Sequence, residues 1–257
     1  MTLWIGRLGT RLLPLITVAL LSVTPAVSAQ TAPTVDTIVA DYVAARGGLA
    51  KIKSIQTLRQ KGRAYGGEGR EALVLRELKR TGKIRFEFTV QGVTGVYVSD
   101  GSKGWQVSPF DGDMAPQQLS DEVTREAIDQ ADVEGPLVDW RSKGHQLELV
   151  GREAVSGREA YKLKLTLKTG AVRYEYIDVK SHYQVRTDSQ RHVRGQEVQI
   201  ATTFGDHKKF GGVLFPRLIE VVAAGRAQRL RVVVDKVEVN PPLSDARFEL
   251  RSAQPRE

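Results

Sequence analysis

The chain has 257 residues, with 38 Lys and Arg against 30 Asp and Glu, a formal net charge of +8, and no cysteine. The missing cysteine excludes disulfides and a lipid-modified cysteine, so an exported form of this chain must be held together by its core. The positive charge is scattered at alternate positions, as in Lys162, Lys164 and Lys168, which is the pattern of a solvated sheet face and gives no reason to expect a nucleic-acid partner.

Residues 1–29 read as a secretory signal peptide. Arg7 and Arg11 flank the start of an apolar run from Leu12 to Val23, and Val27-Ser28-Ala29 offers small residues for cleavage before Gln30. The run is short for a bilayer span and no basic stop follows it. A periplasmic protein with no stable membrane anchor after cleavage is therefore expected. Losing Arg7 and Arg11 leaves +6 on residues 30–257, which are expected to form one domain and a monomer.

Thr34 is a candidate N-cap for a helix running to Arg46, with Val35, Ile38, Val39 and Tyr42 on one face and Gly47-Gly48 at its end. A second short turn covers Leu49 to Ile55. After it the apolar period changes to two. Ile84, Phe86, Phe88 and Val90 alternate with Lys83, Arg85, Glu87 and Thr89; Tyr161, Leu163, Leu165 and Leu167 alternate with lysines and Thr166; Val172, Tyr174 and Tyr176 follow the same rule. Turns fall at Thr81-Gly82, Asp100-Gly101, Ser156-Gly157, Thr169-Gly170 and Gly211-Gly212. This predicts about eleven antiparallel strands between Gln56 and Val239, each with one buried face.

One stretch breaks the alternation. Across about 118–142, Leu119, Val123, Ala127, Ile128 and Ala131 recur at helical spacing, Gly135-Pro136 stops the helix, and Leu137 to Trp140 begins another turn. The economical packing lays these helices on the apolar face of one strongly curved sheet, with a closed, lidded barrel as the competing arrangement. Either leaves a cavity under the helices. Phe86, Phe88, Trp105, Tyr161, Leu163, Tyr174, Tyr176 and Phe215 are candidates to line it, with plain core as the other role for each. Leu119, Val123, Ile128, Leu137 and Trp140 are the candidate lid residues. Arg80 and Arg76 fall in phase with Leu78 and Val74, on the apolar side if no bulge intervenes, with a solvated turn residue as the other role for Arg80; an inward arginine needs a partner, and the insertion offers Asp121, Glu122, Asp129, Asp132 and Glu134.

The chain carries no Gly-x-Ser-x-Gly, His-Glu-x-x-His or phosphate-cradling loop. His145, His182, His192 and His207 are spread over different strands or turns. No enzyme, cofactor or metal site is expected.

Three stretches resemble the LolA/LolB-like superfamily, in particular its outer membrane lipoprotein-sorting branch. They are Lys79-Arg80 with Lys83-Ile84-Arg85-Phe86, the run Ser99-Asp100-Gly101…Trp105…Pro109-Phe110, and Val239-Asn240-Pro241-Pro242-Leu243-Ser244-Asp245 with Phe248. The resemblance implies a mainly β fold, an incomplete (half) β-barrel whose concave face is covered by helices, and a cavity that takes up acyl chains of lipoproteins or another hydrophobic ligand. It further implies exchange of that cargo with an inner-membrane transporter or an outer-membrane acceptor, and an arginine, here Arg80, that holds the lid shut. Thr81 stands where the family usually has proline. A periplasmic sensing module that binds lipid or a protein partner in envelope-stress regulation is the alternative that the same superfamily implies.

Overall fold

The computed structural model describes residues 33–193, 196–225 and 229–250; the expected signal peptide and its cleavage point lie outside them. Helix α1 spans Val35–Ala45, with the Thr34 hydroxyl accepting from Thr37 N at 3.2 Å as its N-cap, and α2 spans Leu49–Lys53. Between them, Gly47 takes φ 121°, and a Cβ there would lie 2.3 Å from Gly212 O, so this reversal requires glycine on both counts.

Six strands follow: β1 Thr57–Tyr65, β2 Glu71–Lys79, β3 Lys83–Val90, β4 Val93–Ser99, β5 Gly104–Ser108 and β6 Asp113–Gln118. Helix α3, Asp121–Gln130, and a series of turns lead to β7 Gln146–Val155, β8 Arg158–Thr166, β9 Val172–Asp178, β10 Gln184–Val193, β11 Gln196–Phe210, β12 Val213–Ala223 and β13 Arg229–Val239. All pair antiparallel in one open sheet of thirteen strands, ordered β6-β5-β4-β3-β2-β1-β13-β12-β11-β10-β9-β8-β7. The count exceeds the eleven or so suggested by alternation. Strand β6 is one reason: it is short, contains Pro116 and shows no apolar period.

The two edges of the sheet, β6 and β7, are consecutive in the chain, and α3 lies on the connection between them. Thr124 of α3 sits against Gly104 of β5, while Asp129 accepts a hydrogen bond from Thr169 beside β9. Nine strand spacings separate β5 from β9, roughly 43 Å in a flat sheet at about 4.8 Å per strand. Five helical residues advance only about 7.5 Å. The sheet must therefore curl around the helices, as a half-barrel does.

Directly paired residues share a face of the sheet, so the register separates the two faces. The helix-bearing face carries Leu58, Leu78, Ile84, Val237 and Phe215, which bury Ile52 of α2 and Ala127 of α3, and Tyr161, Leu163, Leu165 and Ile177, which bury Ile38 and Tyr42 of α1. Among the described residues, no helix is long and apolar enough to cross a membrane.

On the opposite face, a strap after β13 crosses β1, β2 and β3. Asn240 Oδ1 accepts from Gln56 N at 2.7 Å, Thr57 Oγ1 donates to Pro241 O at 2.6 Å, and Lys79 Nζ reaches Leu243 O and Asp245. Beneath the strap the fully buried Glu77 accepts from Arg59 and Arg247, and Arg85 donates to Arg247 O at 2.9 Å. Phe248 ends the strap with no solvent exposure.

Thr81 and Gly82 both have positive φ, 77° and 79°. Proline is locked near −65° and cannot stand at 81 in this turn, so the departure from the family's proline goes with a different turn. A β-branched residue is strained in that region. Thr81→Asn is expected to raise stability by about 0.5–1 kcal/mol, measurable by chemical denaturation.

Candidate functional site

On the helix-bearing face, Phe88 pairs with Val74 and Val74 with Gly62, while Ala72, Ala64, Val232, Ile219 and Phe204 form the adjacent row. Val74, Phe86, Phe88, Tyr97, Val232 and Ile219 keep partial exposure there. Phe86 lies 5.6 Å from Tyr97 between ring centroids, and Phe88 stacks on Phe110 at 5.1 Å. This is a continuous apolar floor extending beyond the helices.

Of the sequence candidates, Phe86 and Phe88 stand on this floor. Tyr161, Leu163 and Phe215 are on the same face but are sealed in core under α1 and α2. Trp105, Tyr174 and Tyr176 are corrections: each lies on the opposite face. Trp105 pairs with Val98 and, through it, shares the face of Arg85 and Glu77, because the loop Asp100–Lys103 sets Gly104, not Trp105, opposite Ser99. Tyr174 and Tyr176 are covered by cations: Lys162 lies 5.0 and 5.4 Å from their ring centres and Arg186 5.1 Å from Tyr176. Hydrogen bonding to Glu153 leads the effects that push Lys162 up to about 12. Besides Ile177, the inward positions of β9 are Arg173 and Glu175, the latter buried and accepting from Gln184 and Thr187.

The lid also differs from its sequence outline. Thr124 and Ala127 are the buried residues of α3, with Leu119 just before it; Val123 faces solvent at 37 % exposure. Ile128 approaches Gly82. Leu137 and Trp140 lie in turns after the helix. Leu137 is buried under α1, and Trp140 stacks beneath Arg141 in an outer groove of about 590 Å³ beside Val39, Val43 and Leu49. A second groove of about 400 Å³ lies between Arg80-Thr81-Gly82, Ile128, Pro136, His145 and Leu167.

Arg80 and Arg76 both reach the lid connection. Arg80 Nη1 donates to Glu134 at 2.6 Å, while its Nε and Nη2 donate to Ile55 O at 2.6 Å and Lys53 O at 2.7 Å, capping the end of α2. Arg76 Nη2 donates to Gln130 O, the last residue of α3, at 2.7 Å, and Nη1 to Gln60 at 3.1 Å. Sequence phase offers the inward position for both arginines, with a solvated turn as the other role for Arg80. It missed Arg46, whose Nη1 donates to Glu134 O and Tyr42 Oη, and Lys143, which pairs with Asp132 at 2.6 Å.

Two imidazoles add a pH dependence. Burial, opposed by the Gln184 carbonyl at 3.2 Å, pushes His207 below the usual range; burial and Lys143 push His145 the same way. The unfolded chain then binds protons first, so their contribution is complete above the unfolded value near 6.5 and is lost as pH falls through the lower folded values. Stability is expected to decline as pH falls below about 7, and less so in His207→Gln, by denaturant titration at each pH.

The fold is LolA-like. The sequence matches no protein-family model and no curated protein, and the likeness is carried by solved structures. A DUF1329 family protein from Desulfovibrio piger superposes with a TM-score of 0.58 at 14 % identity, covering 85 % of this chain and 98 % of that one. An outer membrane lipoprotein-sorting protein domain from Vibrio parahaemolyticus gives 0.58 at 10 % identity, covering 84 % and 97 %. A LolA superfamily protein from Nitrosomonas europaea gives 0.55 at 14 %, covering 85 % and 99 %.

Proposed function

We propose that this protein is a periplasmic carrier that binds an acyl chain, of a lipoprotein or another lipid, on the apolar floor of its helix-bearing face and hands it on to the outer membrane. The observation that carries the reading is the partly exposed row Phe88, Phe86, Val74, Val232 and Ile219 beside a lid connection that arginines tie down. Binding would be driven by transfer of apolar surface from water, at about 25 cal/mol per Å². Opening of the lid against a membrane partner would release the cargo by a shift in population. The name of the similar Vibrio protein, an outer membrane lipoprotein-sorting domain, supports this reading.

The test is binding of a fluorescent fatty-acyl probe to the mature protein. Phe88→Asp should weaken binding by about tenfold or more, since it puts a charge on the apolar floor. Trp105→Ala, on the other face, should leave affinity within about twofold. Equal losses from the two variants would contradict this location for the site.

A further inference from the structure

We propose that β6 and α3 open together as a flap, pivoting on residues 129–134 and lifting at the end that rests on Gly104. The two ends of α3 are held in different ways. At the carboxyl end, five side chains from separate places converge on a short stretch: Thr169 on Asp129, Arg76 on Gln130 O, Lys143 on Asp132, Arg80 on Glu134, and Arg46 on Glu134 O. Most of these bonds are charge-assisted, and Glu134 is buried, so detaching this end would strand ions away from water.

The amino end is held by one backbone hydrogen bond, Leu119 N to Gly104 O at 2.9 Å, and otherwise by fit. Gly104 has no side chain, and a Cβ at that position would lie 2.7 Å from Leu119 Cδ1 and 3.0 Å from Thr124 Oγ1. Glycine therefore serves here to let the helix start settle directly on β5. The chain leading into it is the sheet's edge strand β6, whose register with β5 slips between Gln106 and Ser108 and whose Met114 is 74 % exposed. An edge strand with an interrupted ladder is among the cheapest elements to detach. Tyr97 packs against the buried cluster that contains Ala127 of α3, so lifting this end would uncover more of the same apolar floor. The arginines predicted to latch the lid then act at its hinge.

This inference rests on the carrier reading for its purpose, but hydrogen exchange reads the movement without any ligand. In the full protein, the amide of Leu119, which donates to Gly104 O at 2.9 Å and loses that bond when this end lifts, should exchange at least about tenfold faster than those of Ala131, Gly135 and Val138. Equal or reversed rates would overturn the flap. Because the chain has no cysteine, single cross-links can be added cleanly. Oxidised Gly104→Cys/Thr124→Cys should slow both that exchange and acyl-probe release by about tenfold or more, while Asp129→Cys/Thr169→Cys leaves both within about twofold. The opposite ranking would place the hinge at the other end. Should the first cross-link not form, Gly104→Val is a wedge under Leu119 and should speed exchange about fivefold; no change would overturn the proposal. If the exchange pattern holds but no acyl probe is taken up, the carrier reading falls and the flap stands.

Discussion

Arg80→Leu is expected to destabilise the fold by about 2–3 kcal/mol and to accelerate release of an acyl probe. The arginine satisfies the last carbonyls of α2 and one oxygen of Glu134, whose side chain is only 8 % exposed. Leucine leaves that carboxylate to Lys143, 3.4 Å away, a longer and weaker contact. The arginine itself is 29 % exposed, which keeps the cost below that of a fully buried pair. Urea denaturation gives the stability change and stopped-flow fluorescence the release rate. Glu134→Gln, which keeps the shape and removes the charge, should fall between wild type and Arg80→Leu in both.

Phe248→Ala is expected to cost about 3–5 kcal/mol, the range for truncating a fully buried aromatic. Its effect should exceed that of a single core truncation on the helix-bearing face in one respect. Phe248 ends the strap, and the ion pairs beneath it depend on the strap staying down: Arg247 must remain over Glu77, and Asp245 between Lys79 and Lys83 at 2.8 and 3.1 Å. Loosening the strap gives water access to Glu77, which is otherwise fully buried. Thermal unfolding checks the magnitude. Faster hydrogen exchange in β2 and β3, with α1 unaffected, would locate the damage.

The parts of this architecture that depend on neighbours in sequence were legible. The Thr34 cap, the glycine end of α1, the turns with two positive φ angles and the change of period at β1 all follow from local chemistry. The inward phase of Arg76 was also readable, since it shares the two-residue phase of Val74 and Leu78 along β2, and Arg80 continues that phase into the turn. What failed depended on partners far away in the chain. Tyr174 and Tyr176 alternate with Arg173 and Glu175, and burial of the aromatic side is the natural expectation. The opposite holds because Glu175 finds Gln184 and Thr187 on β10, while Lys162 and Arg186 cover the tyrosines. Trp105 was misplaced by a loop length, which decides the phase of the strand that follows. Val123 was misread because Thr124, a polar residue, occupies the buried position over Gly104.

The most direct test of the carrier reading is to isolate the mature protein from its host under mild, detergent-free conditions and identify by mass spectrometry what is bound. An acyl-bearing lipid or lipoprotein, recovered at near one per chain and lost from Phe88→Asp, is the predicted result. A protein that emerges empty, and that also ignores an added acylated peptide, would contradict it.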